Sequence, residues 1–465
     1  MSKQFRHCDL NQVLLLPPSL QDWLPEGHLA RLVADVVETL DLSEFYEKHE
    51  ERDGRGQAAY DPRMMVRLLI YGYCLGVASS RRIEKATYED VAFRYLASDD
   101  HPDHSVLAAF RKENREPWGR LFGQVLRLCQ KAGLVKLGHV VLDGTKVKAN
   151  ASKHKAMSYE RMGEAEKKLE KEVNELLAEA ARVDAEEDAK YGKGKRGDEL
   201  PKELERRESR LAKIREAKEA LEKEAREEAA AEKARVEAQL KERERQEQER
   251  GQKFTGPKPQ VPDPEQAKPD GKAQRNFTDP ESRIMKDGAT KEFVQGYNAQ
   301  AAVDSKAQVI VAAAVTQQPN DKQQLVPMVE EVEAMTGQQP QQVTAAAGYF
   351  SEKSVTDPRL EGIDLLVAPD RQKHGEEAPC ATGPPSSDLP VTQPMRQKLR
   401  TPEAQAVYRM RKAIVEPVFG QIKECRGFRR FLLRGLSQVQ AEWQMICTTH
   451  NLLKLFHSGW QPARA

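Results

Sequence analysis

Apolar residues recur at helical spacing through the first 135 residues, as in Leu29, Leu32, Val33, Val36 and Val37 and again in Met64, Met65, Leu68 and Leu69. That period reads as an all-helical region over residues 1–135. Tyr60-Asp-Pro-Arg-Met-Met adds a start signal, because Asp61 suits an N-cap and Pro62 suits the first helical position. Asp103-His-Ser-Val begins another capped helix. Between them, Gly76 to Arg82 sets small residues beside Arg81 and Arg82, where arginines next to a helix start can meet phosphates. The period then changes at Gly138-His-Val-Val-Leu-Asp143-Gly, a short β-branched run that predicts a strand ending in an acid and a glycine.

Residues 160–250 are almost entirely Glu, Lys, Arg and Ala. Met162, Leu169 and Leu176 recur every seventh position, and Leu204, Leu211, Ile214 and Leu221 form a second apolar stripe. Gly192 to Pro201 separates the two stripes, so the pattern predicts two long helices folded back as a hairpin or coiled against a partner chain. Gly256-Pro-Lys-Pro to Gly271 is a proline-rich tether. The insertion with its tether spans 156–275.

Strand signals resume after the tether. Phe293 to Val303 and Gln308 to Thr316 read as a hairpin joined at Asp304-Ser-Lys. A helix follows, carrying Leu325, Met328, Val329 and Val332 and capped near Asn320-Asp321. A strand near Gln342 to Ala347, a short helix from Ser351, a strand over Ile363 to Ala368 and a helix bearing Glu416 complete the order. The fold class is therefore α/β. Three antiparallel strands followed by parallel ones fit a ribonuclease-H-like mixed sheet, with residues 136–155 and 276–465 as its two parts and an all-helical N-terminal domain and a charged, coiled-coil-like insertion attached.

Charge changes this picture only locally. Lys+Arg 74 against Asp+Glu 73 leaves a formal net charge of +1, so net charge neither favours nor excludes nucleic acid. From Arg396 to Arg434, however, eleven Lys or Arg stand against three Glu. Six cysteines, Cys8, Cys74, Cys129, Cys380, Cys425 and Cys447, include no C-x-x-C pair, which argues against a zinc site and a disulfide framework. With no apolar leader at Met1 to Arg6 and no stretch approaching the ~20 apolar residues of a membrane span, the expectation is a soluble, cytoplasmic protein without a membrane partner.

The chemistry centres on two acids. Asp143 ends the first strand, where a carboxylate projects beyond the sheet. Glu416 stands in a helix otherwise rich in bases, with Lys423 seven residues on; in an α-helix that spacing puts both on one face. A carboxylate beside an ammonium suits a divalent metal and a backbone phosphate together. Magnesium takes oxygen ligands and keeps several waters, so two or three acids suffice for a phosphodiester site. The bland alternatives are a turn Asp before Gly for Asp143 and a salt-bridge partner for Glu416. Lys423-Glu-Cys-Arg426-Gly-Phe-Arg429-Arg430-Phe-Leu-Leu-Arg434 interleaves arginines with Phe428 and Phe431, a composition for phosphate neutralisation and base stacking, against which stands a core of apolar residues with an arginine edge.

Taken together, these motifs resemble the bacterial insertion-sequence transposases of the DDE class, whose last acid lies in a Y-(2)-R-(3)-E-(6)-K signature. The resemblance also rests on Tyr60-Asp-Pro-Arg-Met-Met, Asn276-Phe-Thr-Asp-Pro-Glu-Ser-Arg-Ile-Met285, Gly296-Tyr-Asn-Ala-Gln300, Ala347-Gly-Tyr-Phe350, and Glu442-Trp443 with His450-Asn-Leu-Leu-Lys454. It implies metal-dependent DNA cleavage and strand transfer, with Asp143 and Glu416 as catalytic metal ligands for Mg2+ or Mn2+ in a two-metal site. It also implies terminal inverted repeats in double-stranded DNA and target DNA as partners, a homodimer or higher synaptic assembly, and a nucleoid-associated location when DNA is bound. Tyr408, Lys423 and either Arg411 or Lys412 would lie near DNA, since Tyr408 to Glu416 is one residue longer than the signature. Arg426, Arg429, Arg430 and Arg434 extend the expected DNA face. Pro417 is expected to bend or restart the helix. The larger departure is the middle acid: similar transposases carry Asp-Ala-Gly-Tyr-Phe where this chain has Ala346-Ala-Gly-Tyr-Phe, and a methyl group cannot ligate a metal. Asp321, the nearest preceding acid, reads as a helix cap. A transposase-derived regulator that binds DNA without cutting it is the alternative that Ala346 favours.

Overall fold

The computed structural model describes residues 19–50, 59–191, 202–251, 256, 258–288, 290–370 and 391–462. Met1 to Arg6, Cys8, Cys380, the turn from Gly192 to Pro201 and the side chain of Leu204 lie outside the described residues. Contacts divide the chain into two units, residues 1–147 with 298–465 and residues 148–297. The N-terminal helices thus share a unit with most of the sheet, a different cut from the one that composition suggests.

The first unit opens with seven helices: α1 (Leu29–Thr39), α2 (Ser43–Glu50), α3 (Pro62–Cys74), α4 (Ser80–Glu89), α5 (Val91–Leu96), α6 (His104–Glu113) and α7 (Arg115–Lys131). Asp61 and Asp103 cap α3 and α6 by accepting from Arg63 N and Ser105 N, and Pro62 occupies the first turn. Strand β1 (His139–Lys148) follows. The second unit contains β2 (Ala156–Ser158), α8 (Tyr159–Tyr191), α9 (Lys202–Arg250), β3 (Gln274–Asn276), β4 (Arg283–Lys286) and the start of β5 (Phe293–Asp304). The chain then returns to the first unit for β6 (Ile310–Thr316), α10 (Leu325–Thr336), β7 (Gln342–Ala345), α11 (Glu352–Val355), β8 (Asp364–Val367), α12 (Thr392–Lys398), α13 (Pro402–Gly420) and α14 (Leu436–His457).

Within the second unit, α8 and α9 run antiparallel. Met162 and Leu169 pack on Leu211, Ile214, Ala217 and Leu221, the stripe read from the sequence. Glu166 pairs with Arg215 at 3.1 Å and Lys218 at 2.8 Å along the seam. β2 pairs with β3, and β4 with the first residues of β5, both antiparallel.

In the first unit the strands lie in the order β6-β5-β1-β7-β8. β5 and β6 are antiparallel, whereas β7 is parallel to both β1 and β8. The middle of the sheet is buried on both faces, as Val140, Val141, Leu142, Val343 and Ala345 are fully covered. Such strands read as continuous apolar runs rather than alternating ones. Helix α14 packs on α7, α3 and β6, and 13 of its residues are buried, among them Trp443, His450 and Asn451.

Two expectations about helix ends are corrected. Asp321 does not cap α10, whose N-cap residue is Gln324 and makes no side-chain capping bond. Nor does the helix restart at Pro417; α13 runs as one element from Pro402 to Gly420 with Pro417 inside it. Proline lacks the N–H that would bind the carbonyl four residues back, Ala413 O. Gln308 Nε2 donates to that carbonyl at 3.1 Å and so makes good the missing bond.

His450 sits next to the same loop. Its Nε2–H donates to Gln308 O at 2.9 Å, and Nδ1 lies 3.1 Å from Gln421 Oε1. Burial pushes its pKa down from 6.5 to about 3. The folded protein keeps the ring neutral where the unfolded chain takes up a proton, so stability falls as pH drops below 6.5. The expected loss attributable to His450 is about 1.4 kcal/mol per pH unit. Denaturant unfolding at pH 7, 6 and 5 should show a flatter pH slope for His450→Gln; an identical slope in both chains would contradict this assignment.

Candidate active site

The parallel register pairs Leu142 with Ala345, the last residue of β7. One step further along both strands stand Asp143 and Ala346, side by side where β7 gives way to a short 3-10 turn over Ala347–Tyr349. Strand neighbours in register point to the same face, about 4.8 Å apart. The position at which the resemblance expects the middle acid is therefore next to Asp143, and a methyl group fills it.

Asp143 is held in a tight setting. Gly144 N donates to its Oδ1 at 2.9 Å, and Arg411 Nη1 lies 3.7 Å from its Oδ2. Burial pushes the Asp143 pKa up to about 6; Arg411 and the Gly144 N–H pull it down, while the charges of Asp321 and Glu416 push it up. Two further carboxylates thus lie within electrostatic reach of Asp143.

Asp321 is the residue that sequence reasoning misplaced. Its Oδ1 accepts from Asn298 Nδ2 and Gln300 Nε2, each at 2.7 Å, and Lys146 Nζ stands 3.9 Å away. Asn298 and Gln300 are alternate residues of β5, so both side chains leave the same face of the strand. Gln300 also accepts from the Tyr349 hydroxyl through Oε1, and its backbone carbonyl accepts from Trp443 Nε1 at 2.9 Å. Tyr349 is fully buried, which with the nearby Asp321 and Asp143 charges raises its pKa far above the usual phenol value. Gly144 makes room for the cluster: a Cβ there would fall 2.4 Å from Gln300 Nε2 and 2.8 Å from Asp321 Oδ1. The signal available in the sequence was Gly296-Tyr-Asn-Ala-Gln300, two amides at strand spacing ahead of an apolar run.

Helix α13 brings the remaining groups. Tyr408 donates to Ala345 O at 3.4 Å, at the end of β7, and burial raises its pKa. Arg411 lies over the Tyr408 ring, 5.6 Å from its centroid, and only 13% of its side chain is exposed. Lys412 is exposed, so of the two candidates for the arginine of the signature it is Arg411 that faces Asp143. Glu416 lies on the exposed side of α13. Lys423 does not share an α-helical face with it, because the α-helix ends at Gly420 and residues 421–425 form a π turn. The wider turn re-aims the side chain. Lys423 Nζ donates to Lys146 O at 2.7 Å, three residues along β1 from Asp143.

The basic stretch that follows separates into two kinds of residue. Arg426 is buried, donating to Ile446 O at 3.3 Å and Thr449 Oγ1 at 2.7 Å, with its guanidinium over the Phe428 ring. Burial pulls its pKa down to about 10. Gly76, with φ +74°, lets α3 approach it closely, as a Cβ there would fall 2.3 Å from Arg426 O. Arg426 is thus a core residue and not a DNA contact in this conformation. Phe428 and Phe431 are also buried, 4% and 0% exposed, which removes them as stacking platforms. Arg429, Arg430 and Arg434 are exposed, and Arg429 pairs with Glu424.

The donor set is of the kind a hard divalent cation takes: Asp143, Asp321 and Glu416 all offer carboxylate oxygens, and Asn298 Oδ1 is buried without a hydrogen-bond partner. The three carboxylates do not form a closed shell. Among the described residues, the one trio of potential ligands gathered within 4.8 Å is Glu84, Asp103 and His104, on the N-terminal helices.

Comparison with known families bears directly on this geometry. A model described as a transposase domain (DUF772) matches residues 18–113, and one described as a transposase DDE domain matches residues 387–456. These two matches, which together cover less than half of the chain, support an insertion-sequence transposase of the DDE class. The DDE match contains Tyr408, Arg411, Glu416 and Lys423, whereas Asp143, Asp321 and Ala346 lie outside it. Transposases of this class act on DNA and use divalent metal ions. No curated protein and no solved structure matches the chain. No helix among the described residues is long and apolar enough to cross a membrane.

The contrast between Arg411 and Lys412 is measurable. Arg411→Ala removes a largely buried cation from Asp143 and from the Tyr408 ring, and is expected to destabilise by about 1–3 kcal/mol. Lys412→Ala is expected to stay within about 0.5 kcal/mol of the parent. Urea unfolding compares them directly, and equal losses would contradict the placement.

Proposed function

We propose that this transposase binds the terminal inverted repeats of an insertion sequence as double-stranded DNA and catalyses Mg2+- or Mn2+-dependent cleavage and strand transfer into target DNA, slowed by alanine at position 346. The observation that supports the reading is the parallel pairing of β1 with β7, whose last register pair, Leu142 with Ala345, directly precedes Asp143 and Ala346. The strand order β6-β5-β1-β7-β8, antiparallel and then parallel, supports a ribonuclease-H-like core. Divalent ions held there would supply Lewis-acid activation of the attacking oxygen and charge stabilisation of the leaving one.

The chain's own groups have separable tasks. Asp143 and Glu416 supply carboxylates to the ions. Arg411 partly neutralises Asp143 and would be available to the DNA backbone where a cation held that charge. Tyr408 and Lys423 flank the strand ends, where a scissile phosphate would lie. Exposed Lys412, Arg429, Arg430 and Arg434 neutralise backbone phosphates farther along the duplex. The α8–α9 hairpin, read as a coiled-coil-like insertion, would join subunits in a homodimer or larger synaptic assembly.

Ala346 also favours a second reading, a transposase-derived protein that binds ends without cutting them. Nicking of labelled end-sequence DNA in Mg2+ separates the two. The unaltered chain is expected to bind the ends and nick slowly, and Ala346→Asp to raise the rate at least tenfold. Robust nicking by the unaltered chain with no gain on substitution would contradict the role given to position 346. Binding without nicking in both chains would support the regulator.

A further inference from the structure

Asp321 carries more order than a loop carboxylate needs. Two side-chain amides, from Asn298 and Gln300, converge on its Oδ1 at 2.7 Å each, and those amides come from the most buried strand in the sheet. Two donors on one oxygen fix the carboxylate's orientation and leave Oδ2 facing elsewhere. Oδ2 faces the turn after β7: a Cβ at Gly348, two residues beyond Ala346, would lie 3.2 Å from it. The carboxylate thus sits between the ends of β1 and β7.

Asn298 provides an independent observation. Its side chain is fully buried, its Nδ2 is used by Gln318 O and Asp321, and its Oδ1 has no partner. A buried acceptor without a partner is costly to leave unpaired. That oxygen points to the same place as Asp321, since a Cβ at Gly144 would lie 3.0 Å from Asn298 Oδ1 and 2.8 Å from Asp321 Oδ1. Gly144 directly follows Asp143. Gln324, not Asp321, holds the cap position of α10, and Lys146 Nζ forms only a long ion pair with Asp321, at 3.9 Å.

We propose that Asp321 and the Asn298 side-chain oxygen are ligands for the divalent ion at Asp143, supplying from the β6–α10 turn the oxygen donor that Ala346 lacks. This rests on the reading of the strand ends as the metal centre of a DDE transposase. Asp143, Asp321 and Asn298 Oδ1 then give three protein oxygens, with water and phosphate filling the remaining positions of an octahedral ion. Gln300 is a positioning residue that holds Asp321 and is itself held by Tyr349.

Mn2+ binding to the full chain without DNA tests the assignment, read by the electron paramagnetic resonance signal of free Mn2+. Asp321→Asn keeps the shape of the side chain and is expected to weaken binding at least tenfold, as is Asp143→Asn. A second measurement does not depend on a folded variant: Fe2+ with ascorbate and peroxide cuts backbone near the bound ion. The unaltered chain is expected to be cut within residues 319–323 as well as 141–145. Binding lost in Asp143→Asn but unchanged in Asp321→Asn, or cuts at 141–145 without cuts at 319–323, would overturn the Asp321 assignment alone. Failure of the unaltered chain to bind Mn2+ would overturn the metal-centre reading and this assignment with it.

Discussion

The parallel pairing of β1 with β7 is the constraint on which the rest of the site depends. Because Leu142 lies opposite Ala345, the residues just beyond share one face, and whatever stands at 143 and 346 becomes a neighbouring pair. Tyr408 reaches the end of the same strand, Lys423 ties the π turn to β1, and Gly144 opens the space into which the Asp321 cluster fits. A one-residue slip of either strand would turn its own side chain at 143 or 346 to the opposite face. The fully buried residues on both strands hold the register, since a slip would take Val140, Leu142 and Val343 out of their packing.

Around that pair the charges form a balanced set. Asp143 is buried enough for its pKa to rise to about 6, and Arg411 partly offsets the cost of ionising it. A carboxylate so placed has more to gain from a cation than an exposed one, because water is not competing for its charge. Arg426 has a different part. Its guanidinium donates to the Ile446 carbonyl and the Thr449 hydroxyl of α14, and its backbone lies against Gly76 at the end of α3, fastening the N-terminal helices to the C-terminal ones.

The element order was legible in the sequence wherever a period or a cap was strong: the capped helices at Asp61 and Asp103, the β5–β6 hairpin and the apolar stripes of α8 and α9. What failed were inferences from chain-neighbour spacing about groups that meet through the fold. Glu416 and Lys423 are seven residues apart, but the π turn between them voids the helical arithmetic. Pro417 should have broken α13, and Gln308, 109 residues earlier in number, supplies the missing donor. Arg426 and its neighbouring phenylalanines had the composition of a DNA-binding edge, yet they are core, because composition does not record which way a residue faces. Asp321 had the look of a cap for the same reason: its partners, Asn298 and Gln300, lie on another element.

The central claim is that the ends of β1 and β7, completed by Asp321, form the divalent-metal centre of this transposase. The anomalous signal of Mn2+ in soaked crystals of the unaltered chain tests it most directly. The account predicts a peak bounded by Asp143, Asp321 and Asn298 Oδ1, with the Arg411 guanidinium displaced from Asp143. A peak confined to Glu84, Asp103 and His104, with Arg411 still on Asp143, would contradict it.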